Sequence, residues 1–134
     1  MKDQIQITQD NFIRLLEEEF PDKHTDVLHH IEENGEVLFH ILCNDVIETP
    51  LEELLSENKD TDIIKKYCDF IERMWKFGNE EIINILDVTV FEGLAQDDKI
   101  WQTFGQYISQ ECKDYINNDL MSWNVMMFLC KRII

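Results

Sequence analysis

Glycine and proline are scarce in this chain of 134 residues, which contains four glycines and two prolines. No stretch rich in serine, glycine or proline divides the sequence, and no internal repeat is visible. We therefore predict one helical domain over residues 1–134, in which residues 1–7 form a flexible or extended N-terminal segment. The 44% hydrophobic content is enough to build a core, which excludes a disordered acidic tail.

Basic residues are also few, since 12 lysines and arginines stand against 28 acidic residues and the formal net charge is −16. Nucleic acids and anionic membranes bind cationic surfaces, so we expect neither as the main partner. The sequence has no apolar run of the roughly 20 residues that span a bilayer. Its first residues contain no secretory apolar block, and we expect a cytoplasmic protein.

The motifs that mark common catalytic sites are missing. The sequence contains no G-x-x-x-x-G-K-[ST] or G-x-G-x-x-G loop to bind phosphates, and neither H-E-x-x-H nor G-x-S-x-G. Asp87 and Glu92 lie in the most apolar segment, but a spacing of five places them on different sides of a helix, which disfavours an acid–base pair. We predict that the protein is not an enzyme and has no cofactor.

The cysteines and histidines do not form a metal-binding pattern. No C-x-x-C pair occurs, and the apolar neighbours of the cysteines predict that most are reduced core residues. Glu36 and His40 could supply two metal ligands, as could His29 and Glu33. No further ligand is predicted beside either pair, so we predict no metal site. The four cysteines are Cys43, Cys68, Cys112 and Cys130.

Apolar residues recur at three- and four-residue steps along most of the chain, which predicts an all-α protein, a single compact bundle of about six or seven helices. In the first half of the chain, the expected boundaries are Thr8 and Pro21 for the first helix, Lys23 or Thr25 and Gly35 for the second, and Glu36 and Ile47 for the third, and the fourth helix is expected to start at Thr49-Pro50. In the second half, the fifth helix is expected between Asp60 or Thr61 and Gly78, and the sixth is expected to start at Asn79. A long helix is then expected over 99–117, and the last helix is expected to start at Asp119 or Ser122.

The β-branched run Val88-Thr89-Val90 could instead be a strand, but no partner strand is evident.

Acidic residues are concentrated in the first part of the chain. Residues 1–60 hold 16 acidic and four basic residues, whereas residues 61–134 hold 12 and eight. This surplus predicts a surface that meets a basic protein partner, although the same residues could simply keep the protein soluble. The predicted partner-binding residues are Glu17, Glu18, Glu32, Glu33, Glu36, His40, Asn44, Glu48, Glu52 and Glu53. Within this set a spacing of four would place Glu36, His40, Asn44 and Glu48 on one face of a continuous helix.

The segment 121–128 is apolar on more than one side. Burial is the favoured interpretation of this pattern. If the segment is exposed, Trp123 and Met127 would be the anchors of a homodimer or another protein interface.

Two runs of residues carry a resemblance to known proteins. The run EVLFHILCND at 36–45, followed by VTVFE at 88–92, resembles a family of small bacterial helical domains of unknown function. In that family a Leu-x-His-x-Leu run ending in Gly-Asp or Asn-Asp precedes a hydrophobic helix ending in Leu-Glu or Phe-Glu. The resemblance covers about residues 12–118, and Asn44 stands where glycine is more usual.

Size, acidity and the absence of catalytic groups also resemble the immunity proteins of polymorphic or contact-dependent toxins. This resemblance implies a protein that neutralises a cognate toxin, such as a nuclease, by covering its basic cleft with an acidic face. One alternative is a homodimeric regulatory or scaffold domain without a toxin partner. A metal-dependent enzyme built around His29 and His40 is a less favoured alternative.

Overall fold

The computed structural model describes residues 5–134, and this part of the chain is all-helical. The all-α prediction is confirmed, and residues 86–91 are helical rather than a strand. The predicted count of six or seven is too low, because the described residues form eight helices. These are α1 (Phe12–Glu19), α2 (His24–Asn34), α3 (39–57), α4 (Thr61–Phe77), α5 (80–94), α6 (Asp98–Gly105), α7 (110–123) and α8 (Val125–Phe128).

The N-terminal segment before α1 is hydrogen-bonded to the end of α4. Residues 1–4 of the segment predicted to be flexible or extended lie outside the described residues. Ile7 is buried, its N–H donates to the carbonyl of Phe77 at 2.7 Å, and its carbonyl accepts the N–H of Asn79 at 2.9 Å. The predicted cap of α1 is displaced, because Asn11 occupies the N-cap position and its side chain accepts the N–H of Thr8 at 2.8 Å.

The helix predicted over residues 99–117 is broken into α6 and α7, and α7 continues to Trp123. Glycine has low helix propensity, and α6 ends at Gly105. Ser109 then caps α7, since its Oγ accepts the N–H of Cys112 at 3.2 Å. The backbone N–H of Ser109 also donates to Glu72 of α4 at 3.3 Å, so the break is fixed by a tertiary contact.

The predicted last helix is also shorter than expected. The oxygen of the Asn124 side chain accepts N–H groups of α8, which then ends at Phe128. Residues 129–134 are not helical. The side chain of Asn117 holds this tail through both the N–H and the carbonyl of Ile133, at 2.9 and 2.8 Å. A side-chain clamp of this kind cannot be read from helical periodicity.

α3 runs through Thr49 and Pro50, where the sequence predicted a new helix. The Thr49 N–H donates to the carbonyl of Asn44, five residues earlier, so residues 44–48 form a π turn. Proline has no N–H to donate, which normally interrupts a helix. Here the π turn has already changed the backbone hydrogen bonds from i−4 to i−5 at Thr49, and the helix continues through Pro50. The predicted third and fourth helices therefore form the single helix α3.

Two further π turns lie at Leu86–Phe91 in α5 and Tyr115–Leu120 in α7. The π turns of α3 and α5 contact each other. Each π turn contains one residue more than a regular turn and rotates the helix that follows. Side chains four residues apart therefore do not stay on one face across these turns.

α4 contributes one buried face to the core, formed by Ile64, Tyr67, Cys68, Phe70, Ile71 and Met74. Aromatic rings form two groups of edge-to-face, tilted or stacked pairs, and such pairs add about 0.5–1.5 kcal/mol beyond their buried area. The groups are Phe12, Phe20 and Phe70, and Phe91, Trp101 and Phe104. All four cysteines are free, and all except Cys130 are buried. In the described residues no helix combines the length and apolar character of a membrane span.

Candidate functional site

The ten residues predicted to bind a partner fall into three groups, of which the first lies on α1. Glu18 pairs with Arg14 one turn earlier at 2.9 Å, and Glu17 faces the Nδ1 atom of His24 at 2.8 Å. Their neighbour Glu19 lies 3.3 Å from Arg73 of α4. Glu18 and Glu19 are therefore paired with arginines of the chain itself, and Glu17 is hydrogen-bonded to a histidine.

The second group, Glu32, Glu33 and Glu36, lies at the end of α2 and in the turn that follows. All three side chains are exposed. Gly35 ends the helix with a φ of 75°, a left-handed conformation that favours glycine. Within residues 5–134 the ion pairs do not include any of these three glutamates. These three carboxylates therefore lie at the surface without a cationic partner among the described residues.

The third group lies on α3, and here the expected four-residue row is wrong. α3 begins at Phe39, so Glu36 precedes it. His40 and Asn44 are exposed, but Glu48 is only 4% exposed because the π turn rotates it into the protein. Glu53 is exposed and Glu52 is half-buried.

The Glu48 carboxyl is held by polar groups of its own helix. Asn44 Nδ2 and Thr49 Oγ1 donate to Glu48 Oε2 at 3.2 and 3.3 Å. Burial, followed by a hydrogen bond with Glu52 and repulsion from its charge, raises the pKa of Glu48 to about 7. On the other side the carboxyl packs against Gly93 of α5, where a Cβ atom would lie 2.6 Å from Glu48 Cδ. Glu48 therefore joins α3 to α5 and does not face a partner.

His40 makes a second link between α3 and α5. Its Nδ1 atom lies 2.6 Å from Thr89 Oγ1, so the two runs that carried the family resemblance meet in space. Glu92 of the second run accepts a hydrogen bond from Asn124 Nδ2 at 3.2 Å. These contacts are internal and give the two runs a structural role.

The buried carboxyl of Asp87 belongs to the same α5 segment and is 2% exposed. Tyr115 Oη donates to its Oδ2 at 2.7 Å, whereas its Oδ1 has no hydrogen-bond partner among the described residues. Burial raises the pKa of Asp87 to about 6, against the opposing effect of the tyrosine hydrogen bond.

A cleft of about 350 Å³ lies between α2 and α3. Three carboxylates line it, and no lysine or arginine does. Isoleucine, leucine and valine side chains of α3 contribute its apolar wall. The lining residues are Asp26, His29, His30, Glu33, Asn34, Ile41, Leu42, Asp45 and Val46. The cleft therefore combines uncompensated negative charge with apolar surface.

His30 contributes a directional group to this cleft and is 5% exposed. Its Nε2 accepts the N–H of Leu38 at 2.9 Å, so in the neutral ring the proton is on Nδ1. The neighbour of Nδ1 is Asn34 Nδ2 at 3.4 Å, which is itself a donor because it donates to the His30 carbonyl at 2.8 Å. Both ring nitrogens of His30 therefore have a polar neighbour within the chain, the Leu38 N–H at Nε2 and Asn34 Nδ2 at Nδ1.

Sequence reasoning did not include Asp26, His30 or Asp45 in the site. Asp26 and His30 are four residues apart on α2, as are Ile41 and Asp45 on α3, and this spacing was a usable signal. Periodicity alone does not say that these two faces meet. Glu33 is the one predicted residue that lines the cleft.

Two further arrangements considered from the sequence can now be compared with the structure. No group of three or more His, Cys, Asp or Glu residues within 5–134 has the arrangement of a metal site. Of the two suggested dimer anchors, Trp123 is 53% exposed, but Met127 is buried and cannot contact a second chain. Four exposed apolar residues follow Trp123 in the sequence, namely Val125, Met126, Phe128 and Leu129.

Comparison with known proteins gives one match. Residues 13–124 match the family described as Domain of unknown function (DUF7674). No curated protein and no solved structure matches the chain. The expectation of a domain family of unknown function that spans most of the chain is thus confirmed.

Proposed function

The chain belongs to the family described as Domain of unknown function (DUF7674), and we propose that it is a non-enzymatic domain that binds a basic protein partner through its α2–α3 face. This face is defined by the exposed carboxylates of Asp26, Glu32, Glu33, Glu36 and Asp45. The observation that carries the proposal is that none of them pairs with a cation among the described residues. Neighbouring carboxylates repel one another, and a basic partner removes that repulsion.

A toxin domain is the partner class that fits this surface best. Nuclease toxins hold phosphates in basic clefts, and an acidic helical face can occupy such a cleft in place of the nucleic acid. The protein would then be an immunity protein, and its binding would be fast because opposite charges steer the two molecules together. The negative charge of α2 and of the turn after it supports this mechanism, whereas the α1 cluster, already paired, contributes less.

Charge reversal tests the proposal. We expect the triple variant Glu32→Lys, Glu33→Lys and Glu36→Lys to lose protection when it is co-expressed with the proposed toxin partner. With the purified pair, we expect the association rate of the wild-type protein to fall about tenfold or more between about 0.01 and 0.1 M salt. The variant should bind more slowly at low salt and show little of this dependence.

The matched control is a triple variant of α7, Glu111→Lys, Asp114→Lys and Asp119→Lys, which changes the net charge by the same amount. These three side chains are exposed and lie outside the α2–α3 face. The control should keep both protection and the salt dependence. Undiminished protection by the α2 variant, or equal loss in both variants, would remove the acidic-face mechanism.

Homodimerisation is a second candidate function, favoured by the exposed apolar residues around α8. Residues 120–134 contain no acidic residue and include Lys131 and Arg132, so this end of a strongly acidic chain repels a second copy least. Light scattering tests this directly. A dimeric mass that becomes monomeric in the variant Trp123→Ser with Phe128→Ser supports it, and a monomeric wild-type protein contradicts it.

A further inference from the structure

Residues 131–134 form a non-helical segment, called the strap, which lies in a groove between α6 and α7. Polar side chains of both helices hold the strap by its main chain. Gln102 of α6 donates to one strap carbonyl at 2.7 Å and accepts a strap N–H at 2.9 Å. Trp101 Nε1 donates to a second strap carbonyl at 2.9 Å, and Asn117 of α7 binds both the N–H and the carbonyl of Ile133. These hydrogen bonds do not depend on which side chains the strap carries, so the groove binds a peptide main chain.

One side chain of the strap has its own place in the groove. Ile133 is 4% exposed and packs on Gly105 at the end of α6, where an added Cβ atom would overlap Ile133 Cγ2. The neighbouring Arg132 adds a hydrogen bond from its Nη1 to the Asn117 carbonyl at 3.1 Å. The groove therefore takes a short peptide with one branched aliphatic residue, whichever molecule supplies it.

The strap is joined to the rest of the protein by a short hinge, residues 129–130. α8 ends at Phe128 just before the hinge, and the buried side chain of Met127 fixes α8 in place. Beside the hinge, Phe128 and Leu129 are 72% and 76% exposed. A short hinge followed by a segment that binds elsewhere on the surface is an arrangement from which identical chains exchange segments. Release of the strap leaves the packing of Met127 in place.

We propose that two copies of this chain exchange their straps, so that the strap of each copy lies in the α6–α7 groove of the other. A second copy carries the same strap, and the exchanged strap makes the same contacts in its new groove. Because the hinge is short, exchange brings the two hinges together and covers Phe128 and Leu129, which are exposed in the single chain. Residues 120–134 contain no acidic residue, so two copies of this acidic chain repel each other least at this end.

The inference rests on the second candidate function, homodimerisation, and names the segment that joins the two copies. It does not depend on the acidic α2–α3 face.

Two variants that damage opposite sides of the contact test the exchange by complementation. Asn117→Ala removes two hydrogen bonds of the groove, and Ile133→Asp places a charge where the strap is buried. In either variant alone the strap no longer stays in a groove and cannot join two copies, so we expect light scattering to give a monomer. An equimolar mixture pairs an intact groove with an intact strap. It should dimerise with an association constant at least about tenfold higher than that of either variant alone.

The indole signal of Trp101 shows directly whether a strap from another chain fills the groove. In the Ile133→Asp variant labelled with ¹⁵N, this signal should lie away from its wild-type position, because Nε1–H loses the Lys131 carbonyl. Adding unlabelled Asn117→Ala protein, which carries an intact strap, should return the signal to that position. The matched control is the unlabelled double variant with both changes, which has no intact strap and should not move the signal. An unchanged Trp75 signal throughout shows that the labelled variant is folded.

The outcomes separate the exchange from the candidate function on which it rests. A wild-type dimer, together with complementation by the two variants, supports both. If the wild-type protein is a dimer but both single variants remain dimeric, or the mixture does not restore the Trp101 signal, the exchange is wrong and a side-by-side homodimer through α8 stands. A wild-type protein that is still monomeric at about 1 mM, the weak end of the usual affinity range, overturns both.

Discussion

Asp45 and Glu48 lie only three residues apart on α3, but one carboxyl group is exposed to solvent and the other is buried. Asp45 is exposed and lines the α2–α3 cleft, whereas Glu48 is buried against Gly93 at the α3–α5 contact. The π turn over 44–48 separates them, because it turns one side chain outward and the next one inward. Acidic residues of this chain therefore differ in burial and in role, and a count of acidic residues in the sequence does not distinguish them.

Hydrogen bonding differs between these two regions in the same way. At the α3–α5 contact Glu48 is bonded to Asn44 and Thr49, and His40 is bonded to Thr89. The cleft carboxylates lack a cationic partner within residues 5–134. Internal bonds stabilise the fold, whereas charge left without a partner is available to another molecule. Substitutions at the first region should therefore change stability, and substitutions at the second should change binding.

The largest expected effect on stability is that of Gly93→Ala. A Cβ atom at this position would overlap the Glu48 carboxyl, and crowding of this kind in a packed interior costs about 1–3 kcal/mol. We expect the free energy of unfolding, measured by urea denaturation, to fall by about 2–3 kcal/mol. Gly35→Ala is the control, since no atom lies within 4 Å of a Cβ there and only the left-handed φ opposes it, at about 1 kcal/mol. A Gly93→Ala variant as stable as wild type would show that the contact is not tightly packed.

The next largest effect concerns pH. The raised pKa values of Glu48, about 7, and Asp87, about 6, mean that the folded protein binds more protons than the unfolded chain between about pH 4 and pH 7. Stability from these groups is therefore fully present below the unfolded pKa values and is lost as pH rises through the folded ones. We expect a loss of about 1–3 kcal/mol between pH 5 and pH 8, measured by urea denaturation at constant ionic strength.

Glu48→Gln isolates the contribution of this residue to that loss. Glutamine keeps the shape of the protonated side chain and a donor for Glu52, but it does not ionise. The variant should lose less stability than wild type across the whole interval from about pH 5 to pH 7, where Glu48 is protonated in the folded protein and ionised in the unfolded chain. Parallel pH profiles for the two proteins would mean that Glu48 ionises normally in spite of its burial.

Local signals in the sequence predicted much of the helical structure. Gly35 ends α2, Gly78 follows α4, and the side chain of Asn79 accepts the N–H of Ile82 at the start of α5. These predictions succeeded because a cap depends on residues within one turn of the helix. Gly105 and Ser109 mark the break after α6 locally, but the helical periodicity of apolar residues continues across it and favoured one long helix. The π turns depend on packing against other helices, so no local pattern predicts them.

The candidate site was less predictable for the same reason. Composition correctly placed an exposed acidic group at Glu32, Glu33 and Glu36, since a run of glutamates next to a helix end remains in water. It could not tell that Glu48 is buried, because that depends on the π turn and on Gly93, 45 positions later. The cleft was missed because it forms only where α2 packs across α3.

A smaller effect on stability is expected from Tyr115→Phe. The hydroxyl of Tyr115 donates to Asp87, whose other oxygen has no partner among the described residues. Loss of a hydrogen bond to a buried carboxyl should lower the free energy of unfolding by about 1–2 kcal/mol at pH 8, where Asp87 is ionised, and by less at pH 5. Tyr107→Phe is the matched control, since its hydroxyl donates to the exposed side chain of Asn58 at 2.7 Å, and it should cost less than about 0.5 kcal/mol.

The smallest effect on stability, and the one that completes the comparison, is expected at the cleft. Neutralising Glu33 and Asp45 together, as Gln and Asn, removes two charges that repel their acidic neighbours and that pair with no cation among the described residues. The free energy of unfolding should therefore stay within about 0.5 kcal/mol of wild type or rise slightly at low salt, and the difference should vanish near 1 M salt because the repulsion is screened. A decrease of more than about 1 kcal/mol would place these carboxylates with Glu48 as structural groups. The α2–α3 face would then stabilise the fold. A face that only binds another molecule would give no such stabilisation.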